Sequence, residues 1–104
     1  MKRVVSTKDI VGGSPCIEGT RLTCANVAQR LRYESIAEYL RDYPYLEPGD
    51  IRNALDYCAS KQCVDDQVIA YCEHCTLDTD PDYEPEEPRE EVWVLAKEVL
   101  EREH

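Results

Sequence analysis

Gly13-Ser-Pro-Cys-Ile-Glu-Gly-Thr-Arg-Leu-Thr23 and, further on, Ser35-Ile-Ala-Glu-Tyr-Leu-Arg-Asp-Tyr-Pro-Tyr-Leu-Glu-Pro-Gly-Asp-Ile-Arg-Asn-Ala-Leu-Asp-Tyr57 are the stretches whose reading decides the fold. In the first, Cys16-Ile17 and Arg21-Leu22-Thr23 flank Glu18-Gly19-Thr20, a tight turn in which glycine can take φ > 0 without steric cost. With the β-branched pair Val4-Val5 ahead of Gly12-Gly13, this predicts one or two short strands. A lone hairpin is marginal in water, so the ribbon has to pack on helices or pair with a second copy of the chain.

From Thr23, a candidate N-cap, the spacing turns helical, with Val27, Ala28 and Leu31 on one face. Ser35 with Glu38 three residues later is a capping-box pattern that starts a second helix over 35–42, stopped by Pro44. Pro48 suits the first turn of a third helix over 48–60, where Ile51, Ala54, Leu55 and Cys58 repeat at three and four. Two short helices joined by a Tyr43-Pro-Tyr-Leu46 turn and braced by a preceding helix give a mainly α, homeodomain-like trihelical helix-turn-helix core with a short N-terminal β-ribbon.

Those two stretches together resemble the prokaryotic family catalogued as domain of unknown function 433, over roughly residues 3 to 60. The resemblance implies a homeodomain-like helix-turn-helix and an antitoxin of a toxin-antitoxin pair, with a PIN-like ribonuclease as the toxin. The family usually carries a basic residue where this chain has Glu18, which reduces the positive charge of that loop. Arg21 within Gly-Thr-Arg reads either as a staple of the ribbon to a carboxylate or a helix C-terminus, or as a ligand contact.

Outward from the motif the chain divides into 1–60, the ribbon and helix-turn-helix; 61–77, a cysteine-containing extension; 78–90, an acidic, proline-rich linker; and 91–104, a C-terminal amphipathic helix. Val92, Trp93, Leu95, Val99 and Leu100 form the apolar stripe of that helix, offered here as a partner-binding face, with folding back onto the chain's own core or dimerisation as the alternatives.

Charge is unevenly placed. Of the formal −10, residues 1–63 hold nine Lys/Arg against eight Asp/Glu and residues 64–104 hold three against fourteen, so the halves carry about +1 and −11. No stretch approaches the roughly 20 apolar residues of a membrane span, and Met1-Lys-Arg3 is followed by too short an apolar run for a signal peptide. The expectation is a cytoplasmic protein without membrane contact.

Six cysteines in a reducing compartment point to metal binding or packing rather than to disulfides. Cys58, Cys63, Cys72 and Cys75, spaced C-x4-C-x8-C-x2-C, could present four thiolates to a structural Zn²⁺, with His74 as a substitute ligand. Free packed thiols are the competing reading. Thioredoxin-like chemistry lacks its βαβ context, and no catalytic constellation is present, so an enzyme is not expected.

For DNA, the third helix would read bases through Arg52 and Asn53 while Arg30, Arg32 and Arg41 meet phosphates, although Glu47, Asp50 and Asp56 share that helix. The expectation is therefore an antitoxin-type regulator, a homodimer, binding a PIN-like toxin through its C-terminal region and operator DNA through its helix-turn-helix. The alternative is a homodimeric protein–protein interaction module, zinc-stabilised, that does not touch DNA.

Overall fold

The computed structural model describes residues 2–78 and 89–103; the acidic linker expected over 78–90 lies almost wholly outside them. The chain orders as β1 (Val4–Val5), β2 (Cys16–Ile17), α1 (Cys24–Arg30), α2 (Ile36–Asp42), α3 (Pro48–Ala59), α4 (Gln62–Asp65) and α5 (Val92–Arg102). This is the mainly α architecture with a short N-terminal ribbon that the sequence predicts. Strand β1 runs antiparallel to β2 with Val4 opposite Ile17 and Val5 opposite Cys16. The turn after β2 has Gly19 at φ 79° and is closed by the amide of Ile17 donating to Leu22 O at 3.0 Å.

Each helix of the motif begins where its cap lies. Thr23 Oγ1 accepts from the Asn26 amide at 3.0 Å, and Ser35 and Glu38 complete a reciprocal capping box at the start of α2. Pro48 occupies the first turn of α3, whose N-terminus is held by Asp50 rather than by a Ser or Thr. The Asp50 carboxylate accepts from the Glu47 amide at 2.9 Å and from the Lys2 amide at 2.7 Å. It thereby ties β1's leading edge to the helix.

Helix α3 is the centre of the molecule, touching α1, α2, α4, α5 and both strands. Its Ile51, Ala54 and Leu55 are fully buried, together with Val27, Ala28 and Leu31 of α1 and its C-cap, and Tyr39 of α2. Tyr39 keeps its hydroxyl satisfied by donating to Asn26 Oδ1 at 3.1 Å, as a buried phenol must.

The fifth helix completes this core. Val92, Ala96 and Val99, spaced four and three apart, are 0%, 0% and 2% exposed, while Trp93, Leu95 and Leu100 pack at the margin of the same cluster. The stripe that the sequence offers to a partner is thus corrected in place: Val92 and Val99 are core residues of the chain itself. The physical reason is that α3 presents an apolar face that α1 and α2 leave uncovered, and each buried valine or leucine contributes about 1.5–3 kcal/mol. Trp93 is further covered by Lys61, whose Nζ lies 4.6 Å from the ring centroid.

Residues 62–78 and 89–90 connect the motif to α5. Glu90 is bridged in parallel to Cys75, with the Glu90 amide donating to His74 O at 2.8 Å and the Thr76 amide donating to Glu90 O at 2.9 Å. Arg89 and Asp78 are ion-paired at 3.1 Å. Ile69 lies against Gly13, which adopts φ 96°; a Cβ at that position would come within 2.5 Å of Ile69 Cβ.

Candidate functional site

Two features bear on function: the charged surface of α2–α3 and a buried cluster of thiols. On the surface, most of the side chains expected to face DNA are engaged within the chain. Arg30 reaches Glu34 at 2.8 Å and Asp42 at 3.0 Å, and the Glu34 hydrogen bond holds its guanidinium more firmly protonated than usual. Arg32 reaches Glu90 at 2.8 Å. Asn53 donates its amide to the Lys2 carbonyl at 3.1 Å, so its base-reading end is used inside the fold.

Arg41 and Arg52 remain exposed. Arg52 borders a groove shared with Lys97, Leu100, Glu101 and Glu103, so α5 sets two carboxylates beside the helix that would enter a major groove. Arg21 is exposed as well and meets no carboxylate within ion-pair distance among the described residues. The staple role expected of it falls to its neighbour Thr20, 8% exposed. Thr20 Oγ1 donates to Ile17 O at 2.8 Å and accepts from the Leu22 amide at 3.0 Å. A threonine two positions after a turn entry is the signal that would have found it.

The thiols converge. Cys58 near the end of α3, Cys63 in α4, and Cys72 and Cys75 in the following loop line one cavity of about 20 Å³, together with Cys24 at the start of α1 and the side chains of Val92 and Trp93. Spacing in the sequence joins the first four. Cys24 is the member that reading missed, although its register with Val27, Ala28 and Leu31 on the buried face of α1 pointed to it.

Burial pushes the Cys58 thiol up to about 12 and that of Cys72 likewise to about 12, so as bare sulfhydryls they are protonated and unreactive. All six cysteines are free. His74 is 43% exposed in its side chain and does not line the cavity, so it is no substitute ligand. Among the described residues no group of three or more His, Cys, Asp or Glu side chains is placed so as to hold a metal ion as it stands. Nor is any described helix long and apolar enough to cross a membrane.

Residues 4–58, just over half of the chain, match the family described as "Protein of unknown function (DUF433)". The chain belongs to this family. No curated protein and no solved structure matches it. The family match ends at Cys58, so the other three clustered thiols on α4 and the loop, and the helix that completes the core, all lie beyond it.

Proposed function

We propose that this DUF433 protein is an antitoxin-type regulator that works by protein contact, acting on a basic, nucleic-acid-processing partner such as a PIN-like ribonuclease through its acidic C-terminal half. The observation that carries this reading is the disposition of charge. Arg30 and Arg32 are neutralised by the chain's own carboxylates, whereas residues 64–104 hold fourteen acids against three bases. A charge balance of this kind repels phosphate and attracts a surface built to bind it. Asp80, Asp82, Glu84, Glu86 and Glu87 are the acids in closest succession, and their carboxylates would compete with RNA for the partner's cationic or metal-bearing groove.

Because α5 is part of the core, the reading rests on the acids ahead of α5 in the sequence and not on its apolar stripe. Operator binding through α2–α3, with Arg41 and Arg52 as its contacts, is the second activity of this reading, and a homodimer would supply the two copies that a palindromic site needs. The internal pairing of Arg30, Arg32 and Asn53 favours the other reading, an interaction module that leaves DNA alone.

Affinity capture from the native cells after nuclease treatment tests the proposal. The intact chain should recover a small basic nuclease, and a variant with Asp80, Asp82, Glu84, Glu86 and Glu87 changed to their amides should lose it while keeping its melting temperature. Equal recovery by both, or recovery of the chain alone, would overturn the reading. DNA titrations at two salt concentrations separate the two activities, since a repressor making 6–10 phosphate contacts loses about 10³–10⁵ in affinity between 50 and 200 mM salt.

A further inference from the structure

We infer that the solvent-facing flank of α5 beside Arg32 is a docking surface for a cationic amphipathic helix, a segment that rests on the reading above for its place in a basic partner. Glu90, Glu91, Val94, Leu95 and Glu98 line a groove of about 540 Å³ together with Arg32, the residue after the C-cap of α1. Val94 is 39% exposed, and Leu95 is only partly buried against the core. Apolar surface therefore reaches solvent between carboxylates.

The groove holds three carboxylates against one guanidinium, and that guanidinium is already bound to Glu90 at 2.8 Å. Glu91 and Glu98 carry the remaining charge. Glu91 stands at the head of α5, yet its side chain caps no amide. Arg102, one turn on from Glu98, is engaged by Glu103 at 3.0 Å and by the Glu34 carbonyl at 3.1 Å. Neither Glu91 nor Glu98 has an ion-pair or side-chain hydrogen-bond partner among the described residues.

This pattern selects its occupant. Glu91 and Glu98 are seven residues apart, about 10 Å along a helix, whereas a single metal ion draws its oxygen ligands to within about 2.6 Å of itself. One ion cannot satisfy both acids, and no group among the described residues is placed to hold a metal. Nucleic acid is repelled by them, and a second copy of the chain brings a formal −10 of its own. Both acids and the apolar pair between them are met by a segment with two Lys or Arg side chains at i and i+7 and apolar residues at i+3 and i+4. That is one face of an amphipathic helix laid along α5. The charges set approach and register, and burial of Val94 and Leu95 adds affinity.

The test titrates the isotope-labelled full-length chain with a helical peptide of about 15 residues, built from Ala, Leu and Lys in that pattern. A scrambled peptide of the same composition is the control, because the acids of residues 64–104 attract any polycation. Amide shifts should centre on Arg32, Glu91, Val94, Leu95 and Glu98. Glu91→Gln and Glu98→Gln should each weaken binding about two- to five-fold and reduce its salt dependence. Val94→Ser should weaken binding and leave the salt dependence unchanged. All three positions are exposed, so the melting temperature should stay where it is. Equal binding of the scrambled peptide, shifts centred elsewhere, or full affinity in the Glu91→Gln, Glu98→Gln double variant would overturn the inference. If capture from cells recovers no nuclease while the peptide binds this groove, the antitoxin reading falls and the docking surface stands. If a nuclease is captured equally by the parent and by the variant with all three changes, that reading stands and the docking surface falls.

Discussion

Residues 4–58 and residues 62–103 are built on different principles. The first region is organised by local signals, with a cap at the head of every helix, a proline in the first turn of α3 and apolar residues at helical spacing, and it is nearly neutral. The second contains a one-turn helix, a thiol-lined loop and α5, and carries most of the negative charge. Yet the second covers α3, the central helix of the first. In this chain the family-matched part and its extension therefore share one core, and residues that look like an appendage in the sequence are structural.

The first region depends on the second most heavily at Val99. Val99→Asp places an unpaired carboxylate where the side chain is 2% exposed, which costs several kcal/mol. We expect loss of cooperative thermal unfolding or a fall in Tm of well over 10 °C, given about 4–8 °C per kcal/mol in a domain of this size. An unchanged Tm would mean that α5 stands away from α3 and is free for a partner after all.

The next largest effect lies at a second contact between the two regions. Gly13→Ala sets a methyl group 2.5 Å from Ile69 Cβ at a backbone φ of 96°, combining overpacking of about 1–3 kcal/mol with a left-handed conformation that alanine disfavours. A destabilisation of about 2–4 kcal/mol by urea denaturation is expected. Ile69→Ala, mild alone because Ile69 is largely exposed, should recover only a small part in the double variant. The Ile69 Cβ stays in place after that change, so full recovery would show that the clash lies with the outer atoms of the side chain.

What the sequence made legible, and what it hid, follows the same division. Thr23, Ser35, Glu38 and Pro48 act within a turn of where they stand, so their structural consequence could be read from spacing alone. The thiol set was legible as a spacing and the burial of Cys24 as a register on α1, but not their meeting, because nothing local connects α1 to the loop that carries Cys72. The partner face of α5 was misplaced for a related reason: an amphipathic stripe states that something covers it, and only the tertiary arrangement shows that α3 does. Arg30, Arg32 and Asn53 read as contacts for DNA because their types and helix positions suit it, whereas their partners, Asp42, Glu90 and the Lys2 carbonyl, lie 12 to 58 residues away.

Within the first region, Asp50 contributes through its charge. Burial opposes its ionisation, but the amides of Lys2 and Glu47 outweigh burial and hold its carboxyl below the ordinary range. A carboxylate whose folded pKa is depressed stabilises the fold above the unfolded value of about 3.9, and that contribution disappears as pH falls through the lower folded value. Asp50→Asn should therefore cost about 1 kcal/mol at pH 7, the difference between charge-assisted and neutral hydrogen bonds. Its stability curve should also lose part of the decline that the parent shows below pH 4. A parallel decline in both proteins would place the acid sensitivity elsewhere.

The smallest effect on stability carries the most information about function. Glu90, from the second region, accepts from Arg32 at 2.8 Å and from Gln29 at 3.3 Å, and the Arg32 hydrogen bond keeps its pKa below the usual glutamate range. Both partners of the ion pair are about a third exposed, so Glu90→Gln should cost no more than about 1 kcal/mol, and less at high salt. Its consequence for charge is larger, because Arg32 is then released from its carboxylate and its guanidinium is open to phosphate, as are those of the exposed Arg41 and Arg52. If the extension restrains a nucleic-acid surface on α1–α3, non-specific DNA affinity of the variant should rise and its salt dependence steepen by about one phosphate contact. If affinity and slope stay at the parent's level, Arg32 does not face nucleic acid, and the acids of the second region are directed at a protein partner and not at the chain's own arginines.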